Sequence, residues 1–160
     1  MTLALSIIGW VGWIAAGLVG LFVVVSAILW GGMKMGSAPE GAVVELSAPS
    51  ITKVNEHFDL VVLVINQLDR ERPLGHIDID KTYLDGIVVE SVTPQPEESS
   101  VFRTSFDYIM GVPVPPRDSL EVRFRCRAVK AGDFTGEALI YVDGGSMRWV
   151  TRSIRTVVTA

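Results

Sequence analysis

LEVRFRCRA, Leu120 to Ala128, is the stretch on which the fold turns. Leu120, Val122, Phe124, Cys126 and Ala128 alternate with Glu121, Arg123, Arg125 and Arg127. Successive side chains of a β-strand point to opposite faces, so this pattern predicts one buried side and one wet side. Cys126 falls on the apolar side and reads as a small buried residue rather than a nucleophile.

The same period recurs on both sides of this stretch. Alternating apolar runs predict strands at Ala42–Ala48, His57–Ile65, Gly75–Asp80, Ile87–Val92, Val101–Met110, Leu120–Val129, Glu137–Val142 and Arg148–Val158. Between them lie NQLDRERP, TPQPEESS, PVPPRDS, KAGD and DGGS, polar segments that hold most of the prolines. Short strands punctuated by turn residues indicate an all-β sandwich or barrel. No segment after residue 41 carries a helical period.

SLEVRFRCRAVKAGDFTGEALIYVDGG resembles the late strands of immunoglobulin-like domains, in which Ser-Leu-x-Val leads through a Gly-Asp-aromatic turn into the next strand. EHFDLVVLVIN resembles the early strand of bacterial adhesion-type and CARDB-type immunoglobulin-like modules, a strand that usually ends at Asn, here Asn66. The resemblance spans Val43 to Val158 and implies an antiparallel sandwich of about seven to eight strands. It also implies that Leu120–Val129 lies beside His57–Ile65 and in the other sheet from Gly75–Asp80. Two features depart from the pattern. A single cysteine excludes the inter-sheet disulfide, and Phe134 stands where a corner tyrosine would be, so no hydroxyl can bond the backbone there. Modules of this kind bind, space or stabilise.

The start of the chain has a different character. From Thr2 to Met33 there is no charged side chain. This run exceeds the apolar core of a signal peptide and suffices to cross the roughly 30 Å hydrocarbon layer as a helix. Trp10 and Trp13 near one end and Trp30 near the other suit the two membrane interfaces. Residues 1–33 are therefore expected to form a single transmembrane helix, 34–41 a Gly/Ser/Pro linker and 42–160 the sandwich. Around a helix, Gly9, Gly12, Ala16, Gly20, Ala27 and Gly31 share one side, the small-residue spacing that lets membrane helices pack closely. The expected setting is a cell membrane crossed once, with the C-terminal domain outside the cytoplasm.

Chemistry is sparsely represented. The 160 residues hold two histidines and one cysteine, and no HExxH, GxSxG, Walker or GxGxxG motif occurs. No catalytic residue or cofactor is expected, and the chain reads as a non-enzyme. Lys+Arg total 14 against 18 Asp+Glu, a net charge of −4 that speaks against nucleic acid as a partner.

GHIDIDKTYLDG, Gly75 to Gly86, is the one stretch with the look of a metal site. Read as an EF-hand from Asp78, it has Tyr83 where glycine is needed and Val89 where a bidentate glutamate is needed. A non-standard site from Asp78, Asp80 and Asp85 is the remaining metal reading. The plainer one puts Ile77 and Ile79 in the core and His76, Asp78 and Asp80 in water. No metal ligand is assigned.

Two other features bear on partners. In His57–Ile65, Val61, Leu63 and Ile65 form a second apolar face where a half-wet strand should be polar, so either the stems of the neighbouring arginines drape over it or another surface covers it. Arg123, Arg125 and Arg127 form a basic row on the neighbouring strand, either balanced by cross-strand acids or free to meet a partner or anionic lipid. The leading expectation is a membrane-anchored, non-catalytic interaction or structural module, its partners the bilayer and a protein bound through the helix or the sandwich. An accessory single-helix subunit of a larger membrane complex is the second expectation. A calcium- or ligand-binding sensor is the third.

Overall fold

The computed structural model describes residues 39–143 and 148–160. The expected transmembrane helix, its glycine stripe and residues 34–38 of the expected linker lie outside these residues. No helix among the described residues is long and apolar enough to cross a membrane.

Ten strands fold into two sheets. They are β1 (Ala42–Ser47), β2 (Ile51–Lys53), β3 (His57–Asn66), β4 (Arg72–Asp80), β5 (Ile87–Thr93), β6 (Glu98–Val101), β7 (Ser105–Val114), β8 (Ser119–Ala128), β9 (Gly132–Val142) and β10 (Trp149–Thr159). A four-residue helix, α1 (Lys81–Leu84), joins β4 to β5. The first sheet has the order β1-β3-β8-β5, and the second β2-β10-β9-β4-β7-β6. Every pairing is antiparallel except β2 with β10.

The strand count exceeds the expected seven to eight for a physical reason. β2 has three residues and β6 four, too few to display an alternating pattern, and β6 is the polar sequence ESSV. The stretch expected as one strand, Val101–Met110, holds the last residue of β6, a turn, and the first part of β7.

Between the sheets lies the core the alternation predicts. β8 contributes Val122, Phe124, Cys126 and Ala128, all fully buried, and β3 contributes Leu60, Val62 and Val64. From the second sheet come Ile77, Ile79, Met110, Ala138, Ile140 and Val142. Tyr108 of β7 meets Phe124 of β8 edge to face at 5.1 Å, joining the two sheets through one aromatic pair. Burial pushes the Cys126 thiol up to about 12, so it stays protonated and inert. β8 does lie beside β3 and in the other sheet from β4.

Candidate functional site

β4 carries the stretch that looked like a metal site, and a slip in its register decides what that stretch presents. The pairing of β4 with both neighbours shifts between Leu74 and His76. As a result Leu74 and Ile77 are both in the core although three residues apart, and strict alternation resumes only from His76 onward. The extra residue of such a bulge re-aims the side chains that follow it. His76, Asp78 and Asp80 thereby share the outer face, each half-buried, while Ile77 and Ile79 are fully buried.

Register then supplies partners that lie far away in sequence. Asp78 stands directly opposite Asp107 of β7 and Leu139 of β9. His76 stands opposite Tyr141, and their rings stack at 3.8 Å with 22° between the planes. Trp149 of β10 continues the row, 5.6 Å from Tyr141. One donor atom from each of His76, Asp78 and Asp107 falls within 4.8 Å of the other two.

The electrostatics of this cluster are one-sided. Burial, then the hydrogen bond and the charge of Asp107, with Asp80 adding to them, push the Asp78 carboxyl up to about 7; the Tyr141 hydroxyl pulls against this by bonding the charged form. Burial and the two carboxylates also raise the Tyr141 phenol. Asp107 Oδ1 is closed off from solvent and has no hydrogen-bond partner. Among the described residues neither Asp78 nor Asp107 has a salt-bridge partner, whereas seven other carboxylates do.

The two other acids of the expected metal reading go elsewhere. Asp80 accepts the Glu137 backbone N–H at 2.9 Å, and Asp85 pairs with Lys130 at 2.8 Å. Sequence reasoning missed Asp107 and Tyr141, which join the site only through strand pairing. An acid inside the apolar run SFDYIM was the available signal.

The outer face of the first sheet holds the second candidate. Val61, Leu63 and Ile65 stand half-buried on β3. Their cross-strand neighbours are Ser47 and Arg123, Glu45 and Glu121, and Val43 and Ser119, respectively. The arginine row is neutralised within the domain. Arg123 bonds Asp59 at 3.0 Å and Glu121 at 2.6 Å, Arg125 bonds the other Asp59 oxygen at 3.0 Å, and Arg127 bonds Glu90 at 2.7 Å. Arg125 and Arg123 hold Asp59 below its usual range, and Arg127 does the same for Glu90. His57 adds a 3.1 Å contact to Glu90.

At one flank of the sandwich, where β5 and β6 end the two sheets, there is a cleft of about 710 Å3. Val92, Pro96, Glu98, Ser100, Phe106 and Tyr108 are among the residues that line it.

Known proteins add a likeness of shape. No protein-family model and no curated protein sequence matches the chain. Among solved structures, the cohesin module of a Clostridium perfringens family 33 glycoside hydrolase superposes with a TM-score of 0.51 at 11% identity, over 73% of this chain and 96% of that module. The domain is an immunoglobulin-like β-sandwich. The CARDB domain of a Pyrococcus furiosus protein, solved in complex with di-metal ions, gives a TM-score of 0.46 at 14% identity over 78% of this chain and 95% of its own. At these identities the likeness concerns the fold.

Proposed function

We propose that this protein is a membrane-anchored, non-catalytic interaction module, with the uncharged N-terminal run as its single span and the sandwich held outside the cytoplasm. The observation that carries the interaction reading is the two-sided strand β3. It sends Phe58, Leu60, Val62 and Val64 into the core, yet also puts Val61, Leu63 and Ile65 on the outer face of its sheet. A sandwich strand with one wet side has no packing need for that second set. The arginines beside it already hold acids of the same domain, so the apolar row is the part of this face left to meet another surface.

The experiment takes the full-length protein from gently solubilised membranes and compares wild type with Val61→Ser/Leu63→Thr. Expected is a smaller particle for the double variant, at an unchanged melting temperature. Equal particle sizes would overturn the interaction reading. Membrane anchoring is checked separately: the wild type should resist alkaline extraction of membranes, and deletion of residues 2–33 should release it.

The small-residue spacing Gly12-x3-Ala16-x3-Gly20 favours a second reading, an accessory subunit whose helix is its main contact. Gly12→Ile with Gly20→Ile would then shrink the extracted particle, while the β3 variant would not.

A further inference from the structure

Two like-charged carboxylates directly opposite each other on paired strands are destabilising, and Asp78 and Asp107 stand in that relation. The hydrogen bond between the two carboxyls offsets part of that repulsion, and among the described residues no lysine or arginine forms a salt bridge with either. A third donor, His76, reaches the same place from the next outward position of β4. Asp107 Oδ1 adds an independent sign of a missing partner, because it is a shielded oxygen with nothing to bond.

We propose that His76, Asp78 and Asp107 form a binding site for a divalent transition-metal ion of the zinc type. The donor set selects the class. One imidazole nitrogen with two carboxylates suits zinc at about 2.0–2.2 Å, whereas calcium takes six to eight oxygens. Donors on one such ion stand about 3–3.5 Å apart. The three donors, within 4.8 Å of one another, have to draw in to that separation when an ion binds. Three protein donors leave a position for water or for a group supplied from outside. The stack of His76 on Tyr141 holds the imidazole at the site before any ion arrives. This inference is independent of the membrane and partner readings, and neither fails with the other.

Full-length protein in detergent micelles, stripped with chelator and titrated with zinc(II) at pH 7.5, provides the test. The expected result is one ion per chain and a melting temperature raised by several degrees. Asp107→Asn and His76→Gln should each weaken binding by ten-fold or more while the metal-free proteins melt cooperatively. If one of them fails to fold, the other decides. His57→Gln, which alters the separate His57–Glu90 pair, should bind as wild type does. The proposal is overturned by a wild type that neither binds zinc nor shifts, by variants at His76 and Asp107 that bind undiminished, or by a calcium response stronger than the zinc response. In the first case the pair is relieved by a shared proton alone.

Discussion

At the scale of the residue, Asn66 shows how a sequence signal acquires a physical cause. It closes β3 and is fully buried. Its amide nitrogen donates to the carbonyls of Arg70 at 2.8 Å, Pro115 at 3.0 Å and Val114 at 3.2 Å, and its oxygen accepts the Leu68 N–H at 3.1 Å. One side chain thus ties the turn after β3 to the end of β7. An asparagine at the end of this strand was readable from the pattern, but the three carbonyls were not, since two of them lie 48 and 49 positions away. Asn66→Ala leaves those carbonyls without a donor and is expected to cost about 2–3 kcal/mol. Asn66→Asp should cost more, because it turns a carboxylate oxygen towards carbonyl oxygens. Thermal melts of the two variants check the order, and an aspartate variant as stable as wild type would contradict this account.

At the scale of the element, the long strands were readable and their partners were not. β8 runs ten residues with one face apolar, so its period and direction are plain from the letters alone, whereas the equally long β3 is apolar on both faces and shows its length but not which side is buried. β4 was readable only from Gly75, because the slip between Leu74 and His76 breaks its alternation. The same slip determines that His76 and Asp78 share a face with Asp107 and Tyr141. No local pattern reports that. A consequence can be tested on the β4–β7 pair itself. At pH 8 both the unfolded and the folded pKa of Asp78 are exceeded, so its carboxylate faces Asp107 charged. In chelated protein at that pH, Asp107→Asn removes one charge from a directly opposed pair and should raise stability by up to about 1 kcal/mol. A stabilised metal-free protein that binds zinc poorly is an uncommon combination, and it separates a ligand from a residue that merely supports the sheet.

At the scale of the whole molecule, the two sheets are joined by polar ties as well as by the core. Arg72, at the start of β4, is buried to 1% exposure. It chelates both Asp143 oxygens, Nε to Oδ1 at 2.9 Å with the second bond from Nη2, and donates Nη1 to the Glu40 carbonyl at 2.7 Å. It thus links the second sheet to the residues that lead into β1 of the first. Arg152 of β10 repeats the device by donating to the Val44 carbonyl at 2.9 Å. Hydrogen bonding to Arg72 is the largest cause holding Asp143 below its ordinary 3.8. An acid depressed in this way stabilises the fold fully above its unfolded pKa, and that contribution drains away as pH falls through the folded pKa. Asp143→Asn should therefore destabilise the protein at pH 7 by about 2–4 kcal/mol, because it strands a buried guanidinium. The gap between variant and wild type should start to narrow as pH falls below the ordinary 3.8, and close as the folded wild type in turn loses the same charge. Asp59, Asp133 and Glu90 are lowered by arginines of their own and shift the wild-type curve in the same direction. They are present in both proteins, so they cancel in the difference. Melting temperatures of the pair at closely spaced pH values measure that difference, and a gap that stays constant from pH 7 to pH 3 would show that Asp143 acts by packing and not by charge.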